Sequence, residues 1–282
     1  MKVIGIIPSR YNSSRFKGKA LSDICGKPMI QHVYERAKKA RLLDELIVAT
    51  DDKRIYNAVM KFGGKAVLTK KHNSGTDRIA EAAEKIKADI IVNIQGDEPL
   101  ISSRMIDSAI GFFKMDKLAV MGTIKKEITS PDELYNPNIV KVVTDNNNSA
   151  LYFSRRPIPF LRDNENNPPS PPFKIPLCPP LIKGDVGGLS GGKGGFSDKK
   201  DVPIPRNTYY KHIGLYLYKR PFLLKFAKMK QTSLEKKERL EQLRALENGY
   251  KIKVYETKYD TIGVDTSEDL EMVKKMICRG RR

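Results

Sequence analysis

Tryptophan is absent from the 282 residues, and cysteine occurs only three times. Cys25, Cys178 and Cys278 are far apart, with no C-x-x-C pair. That spacing argues against a disulfide framework and a structural zinc, and it fits a reducing compartment. No apolar run approaches the roughly 20 residues of a membrane span, and the run after Met1-Lys2 is too short for a secretory signal. A soluble, cytoplasmic chain with no membrane partner is expected. Two nucleotide motifs are missing as well. No G-x-x-x-x-G-K-[ST] is present and no G-x-G-x-x-G follows the first strand, which argues against a P-loop kinase and a dinucleotide oxidoreductase.

Charge is not lacking. Lysine and arginine number 52 against 33 acids, a formal net charge of +19. Such an excess invites nucleic acid as a partner. Yet the lysines sit beside glutamates, as in Glu35-Arg36-Ala37-Lys38-Lys39 and Glu235-Lys236-Lys237-Glu238-Arg239. No helix-turn-helix, RNP-like motif or Cys/His finger occurs, and aromatics do not interleave with the basic runs. The excess reads as solvated helix faces, with no nucleic-acid partner.

The chain is organised around its first nineteen residues. Val3-Ile4-Gly5-Ile6-Ile7 is a β-branched apolar run, a buried strand of a parallel sheet. Arg10, Ser13, Arg15, Lys17, Gly18 and Lys19 follow at once. Guanidinium forks and a movable ammonium suit phosphate oxygens, and ligands of open α/β sheets sit beyond the carboxyl ends of strands. The loop is therefore a polyphosphate site, against the plainer alternative of a solvated surface loop.

Further strands are expected at 46–50, 64–68 and 89–94, alternating with helices whose apolar stripes are Ile30, Val33, Tyr34, Ala37, then Ile55, Ala58, Val59, Phe62, then Ile79, Ala82, Ala83, Ile86. This βαβαβαβ order predicts a parallel sheet. Asp51-Asp52 suits a metal or a helix cap, and the cap is the commoner use. Ser74-Gly75-Thr76 exposes backbone amides at a helix start, suited to phosphate, ribose or base atoms, with an ordinary N-cap as the alternative. Asp97, after Gln95-Gly96, stands past a central strand, placed for a divalent ion or for a turn before Pro99. Asp265 repeats that design near the other end of the chain, with a cap beside Thr266 as the alternative. Beyond Leu100 the texture changes. Residues 137–143 and 150–154 form a hairpin through Asp145-Asn146-Asn147-Asn148, and 212–218 is an alternating strand. Thr232-Ser233-Leu234-Glu235 is a capping box opening one amphipathic helix that carries Leu240, Leu243 and Leu246. Residues 167–196 hold seven prolines and seven glycines, a composition that forms neither ladder nor packed helix.

Assembled, these motifs resemble the 3-deoxy-manno-octulosonate (KDO) cytidylyltransferases, over nearly the whole chain apart from 164–205. The resemblance rests on Ile7-Pro8-Ser9-Arg10-Tyr11, Gly26-Lys27-Pro28-Met29-Ile30, His72-Asn73-Ser74-Gly75-Thr76-Asp77-Arg78, Gln95-Gly96-Asp97-Glu98-Pro99, Asn136-Pro137-Asn138-Ile139-Val140-Lys141, Leu240-Glu241-Gln242-Leu243-Arg244 and Gly263-Val264-Asp265-Thr266. It implies a Rossmann-like α/β nucleotidyltransferase core with a mostly parallel mixed sheet flanked by helices (1–125 and 219–282). It also implies a smaller α+β sugar-binding and dimerisation lobe (126–218) with a Pro/Gly insertion at 164–205, and a homodimer. The implied reaction joins CTP to the acidic eight-carbon sugar KDO with Mg²⁺, for lipopolysaccharide synthesis. On this resemblance Arg10, Ser13, Arg15 and Lys19 grip the triphosphate. Ser74, Gly75, Arg78 and Gln95 meet the nucleoside, and Asp97 and Asp265 hold the metal. Gln95, Arg155, His212, Glu241 and Gln242 meet the sugar. The chain departs from the family at Lys17, where proline is usual, and in the long link before His212. Its rivals are a cytidylyltransferase for N-acetylneuraminate, a basic nucleic-acid-binding protein on the same fold, and an inactive relative whose insertion blocks dimerisation.

Overall fold

A computed structural model describes residues 1–12, 16–162 and 204–279. The expected Pro/Gly insertion therefore lies almost wholly outside the described residues, as do Ser13, Arg15 and Cys178. Strand β1 (Val3–Ser9) is buried along nearly its whole length and pairs in parallel with both β4 (Glu45–Thr50) and β6 (Ile90–Asn93). Between them the chain forms a small hairpin, β2 (Asp23–Ile24) and β3 (Lys27–Pro28), then α1 (Met29–Ala37), which starts after Pro28 in extended conformation. After β4 come α2 (Lys53–Lys61), β5 (Ala66–Leu68) and α3 (Gly75–Glu84). The Asp52 carboxylate accepts from the Arg54 amide, so this pair of aspartates does contain a helix cap.

The chain leaves β1 toward β4 and β5 on one side and returns to β6 on the other. The reversal opens a crevice at the carboxyl ends of β1 and β6, where such sheets bind ligands. Beyond β6 follow α4 (Ser103–Met115), β7 (Met121–Glu127), α5 (Pro131–Tyr135), and the antiparallel hairpin β8 (Lys141–Thr144) and β9 (Ala150–Ser154). Strand β10 (Tyr210–Lys219), read from sequence as part of the smaller lobe, runs antiparallel between β6 and β7, through the middle of the sheet. Its alternating burial permits this because both faces of a central strand are covered. Its register with β7 shifts between Ile213 and Leu217. With β11 (Ile252–Glu256), the order among the described residues is β11-β7-β10-β6-β1-β4-β5, with β8 attached at β10 and β9 at β8. Apolar clusters cover both sheet faces, one around Ile7, Ile30, Val92 and Phe113, the other around Ile4, Phe153, Tyr218 and Phe226.

Helix α6 (Arg220–Ala227) leads to the segment expected as one amphipathic helix. It is two: α7 (Ser233–Glu238), with the expected Thr232/Glu235 capping box, and α8 (Leu243–Glu247). Arg239 adopts a left-handed conformation at φ 54, which stops the first helix and leaves Leu240, Glu241 and Gln242 in a turn. Strand β11 (Ile252–Glu256) and α9 (Ser267–Arg279) complete the chain. The expectation of unpaired cysteines is corrected. Packing of α9 on the β2–β3 hairpin and the start of α1, through Ile24, Met29, Val273 and Ile277, brings Cys25 and Cys278 to a Cα separation of 6.1 Å, and they form a disulfide. Sequence spacing of 253 residues carries no trace of that proximity.

Candidate active site

The loop after β1 is closed by Gly18, whose amide donates to the Tyr11 carbonyl at 2.8 Å. Gly18 is left-handed at φ 75, a conformation a β-carbon disfavours, and it starts the single turn that carries Lys19. Lys19 is buried, and its ammonium donates to Asp97 Oδ2 at 2.8 Å, Asp265 Oδ1 at 3.3 Å and the Val264 carbonyl at 2.6 Å. The two aspartates, one after β6 and one before α9, thus converge on a single cation. Beside Asp97, a β-carbon on Gly96 would lie 2.8 Å from the Pro8 carbonyl oxygen. Only glycine lets the two loops approach this closely.

Opposite lies the amino end of α3. Ser74 caps it by accepting from the Asp77 amide at 3.1 Å, and Gly75 follows. Arg78 is 3 % exposed; its Nη1 donates to Thr69 Oγ1 at 2.7 Å and pairs with Asp51 at 3.2 Å. Its guanidinium is thus fixed to the wall rather than free. His72 is paired with Glu81 at 2.6 Å. Gln95 Nε2 donates to the Gly214 carbonyl at 2.9 Å. These groups line one cavity of about 340 Å³, whose wall includes Arg10, Lys19, Ser74, Gly75, Arg78, Gln95, Asp97 and Asp265. Eight residues expected for the nucleotide and metal meet there.

Arg155, His212, Glu241 and Gln242, expected for the sugar, lie outside that wall. Arg155 Nε donates to the Glu238 carbonyl at 2.9 Å and Nη1 to that of Pro137 at 2.9 Å, so this guanidinium braces backbone. The Thr76 hydroxyl donates to the Glu241 carboxylate, which also meets Arg244 at 3.3 Å. Burial raises the Glu241 pKa against the lowering effect of those partners. Gln242 is 4 % exposed. The ring of His212 packs on Phe153 and Tyr216, and burial depresses its pKa to about 3. Two contacts join this group to the cavity: Thr76 with Glu241, and Gln95 with the β10 bulge at Gly214.

Glu98, next to Asp97, is pushed up to about 8 by burial and then by the neighbouring Asp97 charge. For a metal, the observation that matters is the Lys19 ammonium between two carboxylates, since a cation already sits where they converge. An all-oxygen pair suits Mg²⁺, which takes one or two protein carboxylates and completes its shell with water and phosphate. Among the described residues no cluster of three or more His, Cys, Asp or Glu side chains is placed for a metal. Asp97 and Asp265 fit magnesium beside a phosphate, not a cage of protein ligands.

Sequence reasoning missed Thr123 and Val264 and gave two other residues different parts. Asp51, weighed with Asp52 as a metal ligand or a cap, instead pairs with Arg78, and Thr76, standing inside the helix-start motif, reaches Glu241. A threonine in an alternating strand, such as Thr123, resembles any other strand residue.

A family model described as cytidylyltransferase matches residues 4–252. The 3-deoxy-manno-octulosonate cytidylyltransferase of Geotalea uraniireducens is 52% identical over 274 residues, covering 97% of this chain and 98% of that protein. The enzyme of the same name from Fusobacterium nucleatum is 49% identical, covering 97% and 96%. Among solved structures, a CMP:2-keto-3-deoxy-manno-octonic acid synthetase complexed with CTP matches with TM-score 0.81 and 38% identity, over 99% of this chain and 100% of that one. A glucose-1-phosphate thymidylyltransferase from Bacillus anthracis, 14% identical with TM-score 0.60 over 97% and 94%, shares the fold alone.

Proposed function

The chain belongs to the cytidylyltransferase family, and from that premise we propose that it transfers CMP from CTP to the anomeric hydroxyl of KDO, releasing pyrophosphate and CMP-KDO. The observation that carries the reading is the meeting of Lys19 with Asp97 and Asp265 on the wall that also holds Arg10, Ser74 and Gln95. The anomeric hydroxyl loses its proton to solvent as its oxygen bonds to the α-phosphorus and the bond to the oxygen bridging the β-phosphate breaks. Arg10 and Lys19 take up charge on the departing pyrophosphate, with Ser13 and Arg15 assigned beside them by motif. Lys19 pairs with both carboxylates here, offsetting one of their two charges, and its flexible stem lets the ammonium swing to a phosphate oxygen. Asp97 and Asp265 would hold Mg²⁺, which neutralises phosphate oxygens and polarises the α-phosphorus when bound.

Ser74 and Gly75 present the amino end of α3 to the nucleoside, and Gln95 reaches both substrates. Arg78 shapes the nucleoside wall through Thr69 and Asp51. His212, Glu241 and Gln242 adjoin as the sugar side; Arg155 gives two of its N–H donors to backbone carbonyls, and its Nη2 is the end that would meet the sugar carboxylate. The product supplies lipopolysaccharide synthesis, and the need for CTP puts the enzyme in the cytoplasm. Two copies form the active assembly, with the exposed Leu151 of β9 in keeping with a covered edge. No helix among the described residues is long and apolar enough to cross a membrane.

Pyrophosphate release is measured with CTP, Mg²⁺ and either KDO or N-acetylneuraminate, with metal omitted as control. Release with KDO alone, abolished without metal, is expected. Release with N-acetylneuraminate and not KDO overturns the sugar assignment. Silence with both sugars, joined to salt-sensitive binding of DNA or RNA, overturns the enzyme reading.

A further inference from the structure

We propose that Thr123 is a positioning residue that holds His212 as the neutral imidazole protonated on Nε2, leaving Nδ1 as a hydrogen-bond acceptor for a sugar hydroxyl. The proposal rests on the reading that His212 meets the sugar.

Thr123 lies in β7 and is fully buried. Its Oγ1 stands 2.9 Å from the Leu215 carbonyl oxygen, 3.2 Å from that of Ile213 and 2.9 Å from His212 Nε2. Carbonyl oxygens only accept, and a threonine hydroxyl has one proton to donate. That proton is spent on the two carbonyls. Toward the imidazole the hydroxyl offers only a lone pair, so the ring must supply the hydrogen from Nε2. A neutral imidazole carries one N–H, and Nδ1 is then the acceptor. The ring stays neutral because Phe153 lies edge-on at 5.2 Å and Tyr216 at 5.2 Å, surroundings that disfavour a cation.

The same hydroxyl organises the backbone around the ring. Ile213 and Leu215 flank Gly214 where the β10 register shifts, and their carbonyls turn to Thr123. The carbonyl of Gly214 serves Gln95 Nε2 instead. One buried hydroxyl thus fixes both the histidine tautomer and the bulge that seats Gln95. A neutral acceptor is the right partner for a sugar hydroxyl and the wrong one for its carboxylate, which narrows what His212 recognises.

The test pairs ¹⁵N-histidine NMR with kinetics on the full chain, for Thr123→Val and Thr123→Ser, with His212→Gln assigning one of the three histidines. Wild type and Thr123→Ser should show an unprotonated Nδ1 and a protonated Nε2 from about pH 5 upward. Thr123→Val should lose that preference and raise the KM for KDO about tenfold, the effect of one lost buried hydrogen bond. An Nδ1–H tautomer or an imidazolium in the wild type at pH 7 overturns the proposal. So does an unchanged spectrum in Thr123→Val. If His212→Gln leaves the KM for KDO unaltered, the sugar contact itself falls, and the acceptor role with it. Should Thr123→Val not fold, the wild-type and Thr123→Ser spectra decide alone.

Discussion

The backbone amide of Val264 donates to the carbonyl oxygen of Asp97 at 2.9 Å. This bond stitches the segment before α9 to the loop after β6. Because Asp265 is the next residue, it fixes the distance between two carboxylates that the sequence separates by most of the chain. The Val264 carbonyl then takes the Lys19 ammonium, so backbone and side chains close one ring around the cation.

Asp97→Asn should cut turnover by about a thousandfold or more, on the scale of losing a key electrostatic group. The fold should survive, because Lys19 retains Asp265 and the Val264 carbonyl. Steady-state pyrophosphate release and a thermal melt check both halves; near-normal turnover sinks the metal assignment.

Lys19→Met should bind Mn²⁺ more tightly than wild type when no nucleotide is added, since the resident ammonium no longer neutralises the carboxylates. The gain should be several-fold, consistent with one competing ion pair near the surface. Titration followed by Mn²⁺ paramagnetic resonance measures it, and an unchanged or weaker affinity counts against the shared position.

Arg78→Ala should lower stability by about 3 kcal/mol besides weakening CTP binding, because it leaves Asp51 and Thr69 without their buried partner. A denaturant titration that finds no loss would make Arg78 a ligand contact rather than part of the wall.

Acid should weaken the fold through His212. Its pKa falls from 6.5 in the unfolded chain to about 3 when folded. Between those values the unfolded state binds the extra proton, so stability is full above about pH 6.5 and is lost as pH drops, by at most about 1.4 kcal/mol per unit. Tyr216, packed on the ring, stays un-ionised throughout, since burial raises its pKa. His212→Gln should flatten this acid limb in urea melts at pH 4 to 7.

Much of the site was legible because it depends on local patterns. The apolar run of β1 announced a buried strand, and Ser74 announced a cap that the Asp77 amide does use. Asp97 and Asp265 were legible as two strand-end acids, though only the Val264 stitch explains why they meet. Three features had no such pattern. Arg239 takes a left-handed turn that neither glycine nor asparagine marks, and this alone splits the expected helix and aims Glu241 at Thr76. The Cys25–Cys278 bond depends on how α9 docks. Arg155, assigned to the sugar by resemblance, also braces two backbone carbonyls that no sequence pattern pairs with it.

Leu161 and Ile204 both pack against the cluster of Ile128, Leu134 and Tyr209, so two residues distant in sequence share one small apolar patch. Where two points of a chain are pinned that close, the entropic cost of joining them rises by only about 0.6 kcal/mol for each doubling of the sequence between. A tag inserted between those two positions should therefore leave the stability of the sheet nearly unchanged.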